Sequence, residues 1–244
     1  FTVAKALYTK YYDRFVCASI KHNSWYEFRG HRWYPVDGGY TLMNIISEEF
    51  VNEYLKVASD YNTAAISATG LEKEDLQKKA SRFQRVSDKL LNLGFKENVM
   101  KECRYQFYDE RFEDKLDENH FLIGCENGVY DLEKSEFRNG KPDDFITLTT
   151  KNSYIAWDAN KSQCKNIKKF FSQILPDEDV RTYFLQALCT CLSGENREEK
   201  LYIPTGRGSN GKSLTFELVN LALGEYYISC PITIMTRKRG ASGQ

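Results

Sequence analysis

The residues best equipped for chemistry lie at 206–213, Gly-Arg-Gly-Ser-Asn-Gly-Lys-Ser. Their spacing fits G-x-x-x-x-G-K-[ST], a phosphate-binding loop. Gly206, Gly208 and Gly211 permit backbone conformations that other residues resist. The N–H groups of the loop, including Arg207, Ser209 and Asn210, can then turn inward onto phosphate oxygens at the positive end of a helix. In that chemistry Lys212 reaches the β- and γ-phosphates and the Ser213 hydroxyl ligates Mg²⁺. All eight residues are candidate nucleotide-binding positions, and the implied cofactors are ATP and Mg²⁺. The bland alternative is a glycine-rich turn ahead of a core helix.

Hydrolysis needs more than this loop. An acidic residue on a second strand normally holds Mg²⁺ and positions water. Thirty-one residues follow Ser213, with Glu217 and Glu225 as their only carboxylates, and neither follows a strand-like apolar run. The sequence therefore predicts a binding loop with no complete catalytic set. The catalytic half is expected beyond Gln244, and this chain alone should hydrolyse ATP negligibly.

Three features could touch nucleic acid. Lys161, Lys165, Lys168 and Lys169 line one side of a helical segment whose other side carries Ile167, Phe170, Phe171 and Ile174. Such a stripe can neutralise phosphates, or simply be a solvated face. Arg237-Lys238-Arg239 forms a second basic cluster, either a backbone-contacting loop or a solvated one. Trp25, Tyr26, Phe28, Trp33 and Tyr34 are interleaved with Arg29, His31 and Arg32. Aromatics beside arginines can stack on single-stranded bases; the alternative is that Trp25 and Trp33 pack as a cross-strand core pair.

The elements that must position these residues follow from periodicity. A strand over Lys200–Pro204 should feed the loop, and a helix over Lys212–Leu223 should leave it. Upstream, the pattern predicts a helix over Thr2–Tyr12, a strand over Phe15–Ile20, and a hairpin with strands at 24–28 and 31–36 turning at Arg29-Gly30. Helices are expected from Leu42 to near Gly70, from Leu71 to Leu93 with Gly94 as the stop, and from Lys96 to Phe107. The acidic run Asp109–Glu118 reads as a solvated connection. Short strands are expected at Phe121–Ile123 and Val129–Leu132, with turns through Phe137, Gly140, Pro142 and Asp143-Asp144 before Phe145-Ile146-Thr147-Leu148. Two helices, 162–175 and 178–192, complete the segment before the loop.

The fold class is thus mixed α/β: a mainly helical domain with a small β-hairpin or sheet, then the opening strand, loop and helix of a P-loop, AAA+-like ATPase domain. Expected boundaries are 1–110 for the helical region with the aromatic hairpin, 111–195 for the mixed region ending in a helical pair, and 196–244 for the N-terminal portion of the ATPase domain. Zero formal net charge among 244 residues leaves nucleic-acid binding to local patches. The seven cysteines include no C-x-x-C pair, which argues against a zinc site and for reduced thiols in an intracellular protein. No apolar run has membrane-spanning length and no secretory signal is visible. A start at Phe1 is expected of a fragment or a processed product.

Four blocks together suggest a family: WYEFRGHRW at 25–33, NGVYDL at 127–132, FRNGKPDD at 137–144 and GRGSNGKS at 206–213. From about Phe15 onward the chain resembles the primase–helicases of large DNA viruses of the poxvirus type, which belong to the superfamily III helicases. The order of the blocks is similar to that family's helicase-preceding domain running into the start of its ATPase domain. The resemblance implies a primase domain upstream, a ring of copies of the same protein, a hexamer, and ATP-driven movement along DNA. It implies no membrane partner, and the host cytoplasm or nucleus as location. By position it transfers Gly206, Gly211, Lys212 and Ser213 as phosphate-binding residues. The second acidic motif, polar sensor and arginine finger are not matched here. Two other readings stay open: a non-catalytic collar, assembly or DNA-binding module, and a P-loop enzyme unrelated to DNA.

Overall fold

The computed structural model describes residues 2–195, 199–206, 208 and 210–233. They fall into two compact units, Phe1–Arg29 with Trp33–Leu116, and Gly30–Arg32 with Asp117–Gln244. The architecture is the expected mixed α/β one, helix-rich with two small antiparallel three-stranded sheets.

In the first unit, α1 (Thr2–Tyr11) turns Ala4, Leu7 and Tyr11 inward at helical spacing. A sheet follows in the order β1 (Phe15–Ser19), β2 (Ser24–Arg29), β3 (Arg32–Asp37). β1 and β2 run antiparallel with Phe15 opposite Glu27 and Cys17 opposite Trp25, so four buried side chains share one face. Trp25 and Trp33 are both buried, but with different partners: Trp25 packs on Phe107, and Trp33 on Phe28 and Phe112. The hairpin turns at Gly30-His31, one residue later than expected.

Behind the sheet lie α2 (Tyr40–Ile45), a π-helical turn at Ile46–Phe50, α3 (Val51–Ser67), α4 (Gly70–Leu90) and α5 (Leu93–Gln106). Their apolar faces meet the sheet in one core that includes Leu42, Ile46, Leu90, Val99 and Cys103. Gly94 does not stop α4. It lies inside α5, because the Asn92 side chain accepts the Phe95 N–H at 3.2 Å and starts the new helix there. The acidic run is not a plain solvated connection either. It contains α6 (Phe112–Lys115), which buries Phe112 between Tyr26 and Trp33.

In the second unit, β4 (Leu122–Cys125), β5 (Gly128–Asp131) and β6 (Glu136–Arg138) form an antiparallel meander. Phe137, read as part of a turn, lies in β6 opposite Tyr130. Its buried centre is Leu122, Val129 and Ile146. Arg138 grips Asp144 with two 2.8 Å hydrogen bonds and so closes the turn that follows. The segment 145–150 lies beside β4 without forming a strand, joined by Thr150 N–H to the Gly124 carbonyl at 2.8 Å. Two helices come next, α7 (Ser162–Ile174) and α8 (Glu178–Thr190). The Asp177 carboxylate caps α8 by accepting from the Asp179 and Val180 N–H groups.

The strand expected at 200–204 is not formed. Residues 199–206 carry no strand pairing, and Leu201 and Ile203 are exposed. A strand needs a neighbour to satisfy its backbone, and none lies alongside among the described residues. The helix expected after the loop is present as α9 (Lys212–Leu223).

Candidate functional site

The loop enters α9 through Gly211, whose φ of +80° is the left-handed conformation that favours glycine. Glycine is required on a second count. A Cβ at Gly211 would stand 2.7 Å from Ile174 Cδ1, so the end of α7 presses directly on the loop's exit. Its N-cap, Gly211, makes no side-chain cap bond, so among the described residues the N-terminus of α9 presents its backbone dipole without a carboxylate or hydroxyl partner.

Lys212 folds back over the loop. Its Nζ donates to the Gly206 carbonyl at 3.3 Å and to Asn210 Oδ1 at 2.9 Å. A Cβ on Gly206 would meet Asn210 Nδ2 at 2.5 Å and Lys212 Nζ at 3.3 Å, so both side chains close directly over this glycine. Ser213 is exposed on the first turn of α9. Among the predicted loop residues the structure thus gathers Gly206, Asn210, Gly211, Lys212 and Ser213. Gly208 lies in the same loop, with open space around its Cα. Arg207 and Ser209 lie outside the described residues. An anion held here fits the donor set: an ammonium, a hydroxyl and a helix N-terminus.

The other end of α9 is anchored by residues that sequence reasoning missed. Gly224, with φ +55°, lies against the Thr150 carbonyl, where a Cβ has no room. The Glu225 carboxylate accepts the Thr149 N–H at 3.0 Å and pairs with Arg32 at 3.3 Å and Lys151 at 3.4 Å. The Tyr226 hydroxyl accepts the Gly124 N–H at 2.8 Å and donates to the Leu148 carbonyl at 3.2 Å. Burial pushes the Tyr226 phenol up to about 12, so it stays protonated and able to donate. Asn152 adds a 2.7 Å bond to the Leu221 carbonyl at the helix end. A glycine ending a helix was the only local signal, since each partner lies 69 or more residues away.

Glu225 is therefore a structural anchor held by two cations and an N–H, and Glu217 is exposed on α9. Among the described residues no cluster of three or more His, Cys, Asp or Glu could hold a metal ion. Lys161, Lys165, Lys168 and Lys169 are exposed along α7, with Lys168 Nζ 5.5 Å from the Trp157 ring. Helical spacing puts them opposite Ile174, the residue against the loop. The structure does not gather them around the candidate phosphate site. Arg237, Lys238 and Arg239 lie outside the described residues. No described helix is long and apolar enough to cross a membrane.

Residues 4–176, which hold both sheets, most of α1, α2 through α7 and three of the four sequence blocks, match the family described as D5 N terminal like. The chain belongs to the D5 N terminal like family. The resemblance to poxvirus-type primase–helicases drawn from the sequence blocks is thereby borne out. This D5-type chain is 45% identical over 247 residues to "Putative helicase L207/L206" of Acanthamoeba polyphaga mimivirus, a match over 99% of the chain and 25% of that protein. It is 36% identical over 151 residues to "Putative helicase 121R" of Invertebrate iridescent virus 3, covering 62% of the chain and 16% of that protein. It is 28% identical over 160 residues to "Putative primase C962R" of African swine fever virus, covering 64% of the chain and 17% of that protein. The D5-type chain thus spans a quarter or less of these three proteins. The phosphate loop lies downstream of the family match, within the part that the mimivirus protein shares.

Proposed function

We propose that residues 206–213 bind the phosphates of ATP with Mg²⁺, and that the full-length protein uses this site to drive DNA unwinding during viral replication. The single observation that carries the reading is the position of Lys212. Its ammonium lies back over a glycine cradle at the N-terminus of α9, where it donates to a loop carbonyl and an amide oxygen. The anionic oxygens of a triphosphate bind an ammonium more strongly than neutral carbonyl oxygens do. In this reading Lys212 neutralises β- and γ-phosphate oxygens, the loop N–H groups orient the phosphate chain, and Ser213 offers its hydroxyl as a metal ligand. Mg²⁺, when bound, supplies charge neutralisation between those oxygens.

Residues 196–244 are then the N-terminal portion of an ATPase domain, with residues 1–110 and 111–195 as the regions before it. The acidic, sensor and arginine-finger groups come from elsewhere in the full-length protein or from neighbouring copies in a superfamily III ring, a hexamer. The helicase and primase names carried by the relatives support this assignment. Arg237, Lys238, Arg239, Lys165, Lys168 and Lys169 remain candidate DNA contacts. A second reading, a collar or assembly module, is favoured by the family match ending at residue 176, before the loop.

The test is steady-state ATP turnover by the full-length protein with and without single-stranded DNA. Turnover is expected in the wild type and its loss in Lys212→Ala, with the far-ultraviolet circular dichroism unchanged. Equal turnover in the two proteins would remove the loop from the mechanism.

A further inference from the structure

The first unit carries a charged surface that neither the phosphate loop nor the candidate contacts above account for. From Leu76 to Leu90, α4 holds five basic residues, Lys78, Lys79, Arg82, Arg85 and Lys89, against one acid, Asp88. Lys78, Arg82, Arg85 and Lys89 are spaced 4, 3 and 4 residues apart, which places them in one line along the helix. All four are exposed. The opposite face carries the buried Ala80, Ser87 and Leu90, with the Ser87 hydroxyl donating to the Val51 carbonyl of α3. The line is thus the outward ridge of a helix fixed along its back.

Ordinary reasons for surface charge do not account for the ridge. Lys79 has an ion pair at 2.8 Å with Asp75, but Lys78 reaches Glu74 only at 3.9 Å. Arg82, Arg85 and Lys89 form no ion pair among the described residues. The helix dipole favours cations only in the last turn, which covers Lys89 and not Arg82 or Lys78. The spacing also places like charges as helix neighbours: Lys78 with Arg82, Arg82 with Arg85, and Arg85 with Lys89. Such pairs weaken a helix. Three neighbouring cations of the line, Arg82, Arg85 and Lys89, are thus left without an ion pair among the described residues, which points to a partner outside the fold.

We propose that the α4 ridge is a docking surface for the sugar–phosphate backbone of DNA. The ridge from Lys78 to Lys89 is about 16 Å long at 1.5 Å per residue. That length is several times the ~3.4 Å of axial rise per phosphate of one strand, so the line can reach more than one phosphate. The line holds no apolar residue between Lys78 and Lys89, whereas a protein partner would need an apolar or aromatic centre. Contact of this kind positions a strand without reading its sequence. The proposal rests on the DNA-binding part of the proposed function and is independent of the phosphate loop.

The experiment titrates the full-length protein, in EDTA and without nucleotide, into a labelled 20-nucleotide single strand and its duplex at several salt concentrations. The variant is Arg82→Gln/Arg85→Gln/Lys89→Gln, which keeps good helix formers at each position. The variant is expected to bind DNA of any sequence more weakly, with the log–log salt slope flatter by about two units on the single strand and about 2.7 on the duplex. Its thermal midpoint should equal or exceed that of the wild type, because repulsion is relieved. Unchanged affinity and slope, with the wild type still binding DNA, overturns the ridge and leaves the proposed function standing. Unchanged DNA binding with an altered sedimentation coefficient overturns it too, in favour of a contact between copies. A full-length wild type that binds no DNA ends both this proposal and the unwinding reading.

Discussion

Tyr226 and Gly124 are joined by a 2.8 Å hydrogen bond across 102 residues of sequence. The bond ties the end of α9, whose beginning carries the candidate phosphate loop, to the centre of β4. Gly124 is buried, and a Cβ there would collide with the Leu148 carbonyl, so the strand, the 145–150 segment and the tyrosine close on one point. Tyr226→Phe keeps the ring but leaves the Gly124 N–H without its acceptor. The expected cost is about 1–3 kcal/mol of stability, read by denaturant unfolding. A variant as stable as the wild type would show that α9 is not anchored there.

Glu27 is 2% exposed and lies between Arg14 and Arg29. Burial alone would push its carboxyl up, but the hydrogen bonds from Arg29 and Arg14 outweigh it and hold the group below the ordinary glutamate value. A depressed carboxylate contributes stability that is present above its unfolded value, 4.5, and is lost as pH falls through the lower folded value. Glu27→Gln is expected to cost about 2 kcal/mol near neutral pH, and the gap from the wild type should close on acidification below about pH 4.5. Melting curves between pH 3 and pH 7 check the sign. A gap that stays constant with pH would contradict it.

Thiol reactivity should sort by burial. Burial pushes Cys103 up to about 12 and raises Cys17, whereas Cys189, Cys191 and Cys230 are exposed. Brief alkylation at neutral pH followed by mass mapping should mark the exposed three first and spare Cys17 and Cys103 until the protein is denatured. Early labelling of Cys103 would mean that the α5 face of the core opens readily.

Much of this architecture is legible in the sequence because local signals and tertiary packing agree. The apolar spacing of Ala4, Leu7 and Tyr11 gives α1, and Lys212–Leu223 forms as a helix over the range its pattern predicts. The misses share one cause, that the deciding partner is remote or lacking. Gly94 reads as a stop until Asn92 is seen to cap the next helix. Phe112 reads as part of a solvated run until Trp33 and Tyr26 are seen beside it. Leu201-Tyr202-Ile203 has strand composition, but no described strand pairs with it. In the candidate site the glycines, Lys212 and Ser213 follow from spacing. Glu225, Tyr226 and Asn152 do not, because hydrogen bonds across 69 to 102 residues leave no periodic trace.

The central claim is that Lys212 and its loop hold the phosphates of ATP. Titration calorimetry of the full-length protein with ATP, with and without Mg²⁺, tests it most directly, using Lys212→Ala as the comparison. Lys212 is half-buried with its charge on the loop, so the variant should fold as the wild type does. Saturable binding that needs Mg²⁺ and weakens at least tenfold in Lys212→Ala is the predicted result, about 1.4 kcal/mol or more for one charge-assisted contact. Equal affinity in the two proteins, or no binding by the wild type, would contradict it.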